Sequence, residues 1–127
     1  IAPALHLGRD SLAGIAFTME YLAARKCSVR EAVDALPFYV MKKGKVTATP
    51  AAQKKVYALL KKQYAAEKID LLDGMRIDFT TEGPMQGGWV HLRASNTEPV
   101  FRIISEGCSE KQAAQIQSHF TKLVGSV

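Results

Sequence analysis

Asp73-Gly74-Met75-Arg76-Ile77-Asp78-Phe79-Thr80 and, beyond a glycine-rich turn, Trp89-Val90-His91-Leu92-Arg93 are the stretches whose reading decides the fold. In the first, Met75, Ile77 and Phe79 alternate with Arg76, Asp78 and Thr80, the period of two that a half-buried strand requires. Asp73-Gly74 is a turn signal in front of it, and Glu82-Gly83-Pro84-Met85-Gln86-Gly87-Gly88 separates the two stretches, so together they read as a hairpin. After a polar connection, Val100 to Glu106 supplies a further strand.

Working outward, Ser109 and Gln112 have capping-box spacing, and Ala113, Ile116, Phe120, Leu123 and Val124 share the face of a helix that Gly125 can stop. On the other side, Phe38 to Thr47 reads as a strand, with Phe38-Tyr39-Val40-Met41 followed by Lys42-Lys43-Gly44-Lys45. Thr49-Pro50 opens a helix, because the hydroxyl caps it and proline is tolerated at the first helical position. Val56, Leu59, Leu60 and Tyr64 form its apolar stripe, with Lys54, Lys55, Lys61 and Lys62 falling mostly away as a solvated face. This order predicts an α+β domain over residues 38–127: a mainly antiparallel four-stranded sheet with two helices on one face. Upstream, Leu12, Ile15, Ala16, Met19, Leu22 and Ala23 recur at helical spacing to about Arg25, with Asp10 or Ser11 as N-cap. Ser28 and Glu31 then form a capping box before a short helix that Pro37 ends. These two helices have no strands of their own to cover, so residues 1–37 are expected to be the helical tail of a preceding domain plus a hinge. A first residue other than methionine points the same way.

Composition narrows the class. With 47% hydrophobic and 23% charged residues the chain reads as a globular domain rather than a disordered one. No apolar run approaches a membrane span, and Ile1 to Leu7 is too short for a signal-peptide core, so a cytoplasmic setting is expected. Cys27 and Cys108 stand far apart with no partner at ligand spacing, which suggests neither zinc nor a disulfide framework. The net charge of +5 suits nucleic acid, an anionic lipid surface or a small anionic substrate. Most of the excess lies on lysines outside the polar connection.

That connection, Arg93-Ala94-Ser95-Asn96-Thr97-Glu98-Pro99, carries the chemistry. Arginine offers two parallel N–H donors to an anionic oxygen pair, and serine and threonine hydroxyls with nearby amides can complete a cradle for phosphate. Ser, Asn and Thr are also ordinary turn formers, and Arg102 could equally back such a site or pair with Glu98 or Glu106.

The run Trp89 to Pro99, followed by Val100-Phe101-Arg102-Ile103 and Glu106, closely resembles the C-terminal signature of the α-D-phosphohexomutases, the phosphomannomutase and phosphoglucomutase group. Asp73-Gly74-Met75-Arg76 resembles that family's approach to the same sheet. Gly8-Arg9-Asp10-Ser11-Leu12-Ala13-Gly14-Ile15 and Leu36-Pro37-Phe38-Tyr39 resemble the last helix of its third domain and the hinge to the fourth. The resemblance implies a TATA-binding-protein-like fourth domain of an enzyme that interconverts hexose 1-phosphates and 6-phosphates through a bisphosphate. It also implies a magnesium ion and a phosphoserine, hexose 1,6-bisphosphate as intermediate or activator, and three further domains of the same chain as partners. This sequence has no T-A-S-H-N-P-like serine loop, no D-G-D-x-D-R-like metal loop and no G-E-x-S-G-like sugar loop. The expectation is therefore a C-terminal fragment, inactive by itself, with no catalytic residue and no metal ligand of its own.

By the same resemblance Arg93, Ser95, Asn96 and Thr97 hold the phosphate that is not reacting, and Arg102 is a further candidate from its place at the start of the next strand. Binding energy far from the reacting centre then aligns the reacting end. A flexible connection over 37–45 would let the domain close and reopen. Asn96 resembles phosphomannomutases and phosphoglucomutases more than phosphoglucosamine mutases, which usually carry glycine there. The rival class is a nucleic-acid-binding α+β module, which would alternate aromatic and basic residues across an open sheet face.

Overall fold

The structure is a computed structural model that describes residues 3–4, 8, 10–95 and 98–127. It divides into two compact units, residues 1–37 and 38–127.

The first unit holds α1 (Ser11–Arg25) and α2 (Val29–Asp34). Of the two candidate caps, Asp10 is the one used, its carboxylate accepting from Ala13 N at 2.9 Å. Lys26 closes α1 in the left-handed region at φ 52°, and Ser28 and Glu31 form a complete capping box on α2. Neither helix buries a residue: Leu12, Ile15, Met19 and Val33 are all exposed.

In the second unit the chain order is β1 (Val40–Thr47), α3 (Pro50–Gln63), β2 (Lys68–Asp70), β3 (Met75–Asp78), β4 (Trp89–Ala94), β5 (Val100–Gly107) and α4 (Glu110–Gly125). The strands form one antiparallel sheet in the order β1-β5-β4-β3-β2. The fold is the expected α+β class, and the expected strands are all present. The sheet has five strands rather than four, because the three residues of β2 pair with β3, too short a run to show any alternation in sequence. Residues 40–45, read as part of a hinge, are held in β1 by pairing with β5.

One face of the sheet is dry. Met75, Ile77, Val90, Leu92, Phe101 and Ile103 are almost completely buried there, against Val56 and Leu60 of α3 and Ile116, Phe120 and Val124 of α4. Leu59, placed on the α3 stripe from sequence, is instead exposed. Tyr57 takes the inward place beside it, edge-on to Phe101 with ring centroids 5.2 Å apart. Thr49 caps α3 as expected, accepting from Ala52 N at 3.2 Å. At α4, Ser109 accepts from Gln112 N, while the Gln112 side chain accepts from Cys108 N and donates to Gln86 O at 3.0 Å. The cap therefore also clasps the turn between β3 and β4.

Candidate functional site

The other face of the sheet carries no helix of this unit and is lined by the outward residues of every strand. Strand alternation sends Met41, Lys43, Lys45 and Thr47 of β1 to this side and Val40, Lys42, Gly44 and Val46 to the helices. By the same alternation Arg76 and Asp78, then Trp89, His91 and Arg93, then Arg102, Ile104 and Glu106 face outward.

Register stacks cations in one row. Arg93 of β4 lies directly opposite Arg102 of β5, and Arg102 lies directly opposite Lys45 of β1. Like charges in facing positions on adjacent strands oppose folding, so this row is a place where the sheet tolerates repulsion. Arg102 pairs with neither glutamate considered for it. Glu98 lies 3.8 Å from Lys45, and Glu106 accepts a hydrogen bond from Trp89 Nε1 at 2.8 Å. Among the described residues Arg102 has no acidic partner.

Arg93 does have one. Its guanidinium lies 3.1 Å from the Asp73 carboxylate, and the two side chains are 51% and 60% exposed. Asp73 is brought there by the turn it begins. Gly74 has φ +80°, and a Cβ on it would come within 2.4 Å of Leu92 O, so only glycine lets the turn lie this close against β4. His91 closes the same junction with a ring-nitrogen contact to the Asp73 carbonyl. It is thus a clasp on the turn.

Ser95 is half-buried at the end of this row, and its N–H donates to Val100 O at 2.9 Å, which closes the connection from β4 to β5. Asn96 and Thr97 lie outside the described residues. Arg93, Ser95 and Arg102 thus come together at one end of the open face.

Next to this row the open face is internally satisfied. Arg76 forks onto Asp78 Oδ1 through Nε at 2.9 Å and Nη2 at 2.7 Å, and its guanidinium stacks over the Trp89 ring at 4.3 Å. Trp89, the only Phe, Tyr or Trp among the outward positions of the strands, is therefore covered on one side by Arg76. That departs from the row of free rings on which single-stranded nucleic acid stacks.

Lys42, Lys43 and Lys45, which the sequence leaves between a solvated connection and a charge-raising role, divide by the alternation of β1. Lys42 pairs with Glu110 on the helix side. Lys43 and Lys45 join Arg102 around a groove of about 580 Å³ on the open side. The signal was in the sequence: residues two apart in a strand share a face. His119 meets the Tyr64 hydroxyl at 2.7 Å, and burial pushes that phenol upward from its ordinary value. Neither touches the basic row. Among the described residues no three carboxylate, histidine or cysteine side chains converge as a metal ion would need, so these residues do not fit the magnesium implied by the resemblance.

An antiparallel α+β sandwich with a dry helical face and an open, basic sheet face defines the class of domain. Residues 38–123 match the C-terminal domain of phosphoglucomutase/phosphomannomutase, and the chain belongs to that family. It is similar to a phosphoglucomutase/phosphomannomutase of Thermococcus kodakarensis, with 37% identity over 91% of this chain and 24% of the relative. It is also similar to a phosphoglucosamine/phosphogalactosamine mutase of Sulfurisphaera tokodaii, with 30% identity over 91% of this chain and 25% of the relative. A probable phosphoglucosamine mutase of Methanopyrus kandleri is 27% identical over 98% of this chain and 26% of its own length. The chain thus spans about a quarter of the length of these relatives.

Proposed function

We propose that this chain serves as the phosphate-gripping C-terminal domain of a phosphohexomutase, an intramolecular phosphotransferase that interconverts hexose 1-phosphates and 6-phosphates through a hexose 1,6-bisphosphate. Arg93, Ser95, Asn96, Thr97 and Arg102 hold the phosphate at the end of the sugar that is not reacting. The observation that carries the proposal is the direct opposition of Arg93 and Arg102 on an exposed face, next to Ser95. Two facing guanidiniums cost stability unless an anion comes between them, and a phosphate dianion meets both forks with oxygens to spare.

The role is binding and alignment. A dianion clamped at a fixed place sets the distance of the far end of the sugar from whatever reacts with it, which converts remote binding energy into orientation. Each end of the intermediate occupies the site in turn, so the site recognises phosphate strongly and the sugar weakly. Phosphoserine and magnesium chemistry belongs, in this proposal, to the three other domains of the mutase, and the 127-residue chain alone is inactive. A cytoplasmic setting fits a substrate pool of sugar phosphates, and no helix among the described residues is long and apolar enough to cross a membrane.

Steady-state kinetics of Arg93→Ala in the mutase that carries this domain test the proposal. Loss of a charge-assisted pair worth about 1.5–3 kcal/mol should lower kcat/KM by roughly ten- to a hundredfold. Unchanged kinetics would refute it.

A further inference from the structure

We infer that the groove bounded by Lys43, Lys45 and Arg102 is a second anion seat, which holds the other phosphoryl group of the hexose bisphosphate while that intermediate turns round. The inference rests on the function proposed above and adds a second seat beside the first.

The groove of about 580 Å³ is lined by Lys43, Gly44, Lys45, Arg102 and Ile104, with three cations and no carboxylate. Its composition follows from register. Lys45 faces Arg102 and Lys43 faces Ile104, while Lys42, one residue away, turns to the helix side and is neutralised by Glu110. Among the described residues Lys43 and Arg102 have no acidic partner. Lys45 has only Glu98, at 3.8 Å, with both side chains more than half exposed. A pair so loose and wet contributes almost nothing and yields to a dianion.

Distance gives the seat its use. Neighbouring strands lie about 4.8 Å apart, so the lysines of β1 stand roughly 10 Å from Arg93 on β4 with Arg102 shared midway, and anions held at the two outer edges of this row are spaced like the phosphoryl groups at opposite ends of one hexose. The chemistry of the two seats also differs. The first offers guanidinium forks beside a hydroxyl-bearing loop. The second offers ammonium groups on flexible stems, point charges that attract an anion without fixing its orientation. A seat of that kind suits transient retention, in which one phosphate stays tethered and raises the local concentration of the other.

Isotope-labelled 127-residue chain, titrated separately with inorganic phosphate, glucose 1-phosphate and glucose 1,6-bisphosphate, tests the inference. The bisphosphate should bind about tenfold more tightly than the monophosphate and shift the amides of Lys43 and Lys45 as well as those of Arg93 and Ser95. The double variant K43Q/K45Q, whose exposed side chains leave the fold intact, should lose that advantage while its affinity for glucose 1-phosphate changes by less than about threefold. Equal affinity for the two sugar phosphates in the unaltered chain, or an advantage that survives the double variant, would overturn the second seat. Tighter binding of a single-stranded oligonucleotide at these same amides would overturn it too. Failure of the underlying reading looks different: inorganic phosphate would then leave Arg93, Ser95 and Arg102 unmoved.

Discussion

Two glycines with the same backbone conformation are predicted to respond very differently to alanine. Gly74 has φ +80° and Gly87 has φ +79°. In each, alanine must enter the left-handed region, which costs about 1–2 kcal/mol, offset by about 0.4–1 kcal/mol because the unfolded chain loses freedom. The expected net loss for Gly87→Ala is therefore about 0.5–1 kcal/mol, since a Cβ there meets nothing within 4 Å. At Gly74 the new atom would lie 2.4 Å from Leu92 O and 3.2 Å from Arg93 Cα. Both are backbone atoms of a central strand paired on each side, so neither can swing aside as a side chain would. Overpacking of that kind adds about 1–3 kcal/mol, so Gly74→Ala should lose about 1.5–4 kcal/mol in all. Urea unfolding followed by the fluorescence of Trp89, which lies on β4, reads the sheet-bearing unit directly. Equal losses in the two variants, within about 0.5 kcal/mol, would refute the argument that the Asp73-Gly74 turn is wedged against the strand that carries Arg93.

Arg102→Gln should stabilise the phosphate-free protein by about 0.2–1 kcal/mol at low salt, an increment that added salt erases; thermal unfolding at two ionic strengths checks it, and a loss of stability at low salt would show Arg102 to be structural. Glu67 is the second such test. Partial burial pushes its carboxyl up, but hydrogen bonds from Thr81 and Thr80 outweigh that and hold it below the ordinary 4.5. A lowered folded value means that the stabilisation is fully present above the ordinary value and fades as pH falls through the lowered one. Glu67→Gln should cost about 1 kcal/mol near neutrality, after allowance for its exposure, and should flatten the acid limb of the stability profile below 4.5.

What was legible in the sequence and what was not follows from the physics of each signal. β3, β4 and β5 announced themselves because each buries one face and wets the other, which writes a period of two into the residues. Thr49-Pro50 and Ser109 marked helix starts because caps are local chemistry. β2 left no such trace, since Lys68-Ile69-Asp70 is held by pairing with β3 rather than by a pattern of its own. Leu59 misses its expected place for a related reason. The full burial of Val56 and Leu60 sets the rotation of α3, which brings Tyr57 edge-on to Phe101 and leaves Leu59 exposed. Arg93 and Arg102 were legible as candidates from residue type and resemblance. Their opposition was not, because it depends on the register between β4 and β5, set by a connection whose length alone does not fix it.

The ion pair between Arg93 and Asp73 is the feature that most directly challenges a phosphate role, and magnitudes decide the matter. Had the pair been buried, its guanidinium would be committed: breaking it would leave an unpaired charge in a dry place. With the two side chains 51% and 60% exposed, the pair contributes about 0–1 kcal/mol. A phosphate between two guanidiniums gains charge-assisted hydrogen bonds worth about 1.5–3 kcal/mol each. A guanidinium carries five N–H donors and one carboxylate cannot take them all, so pairing with Asp73 leaves donors for an oxyanion. Asp73 thus holds the arginine near the open face at little energetic cost, and the glycine that follows it keeps the carboxylate within reach of a side chain one strand away.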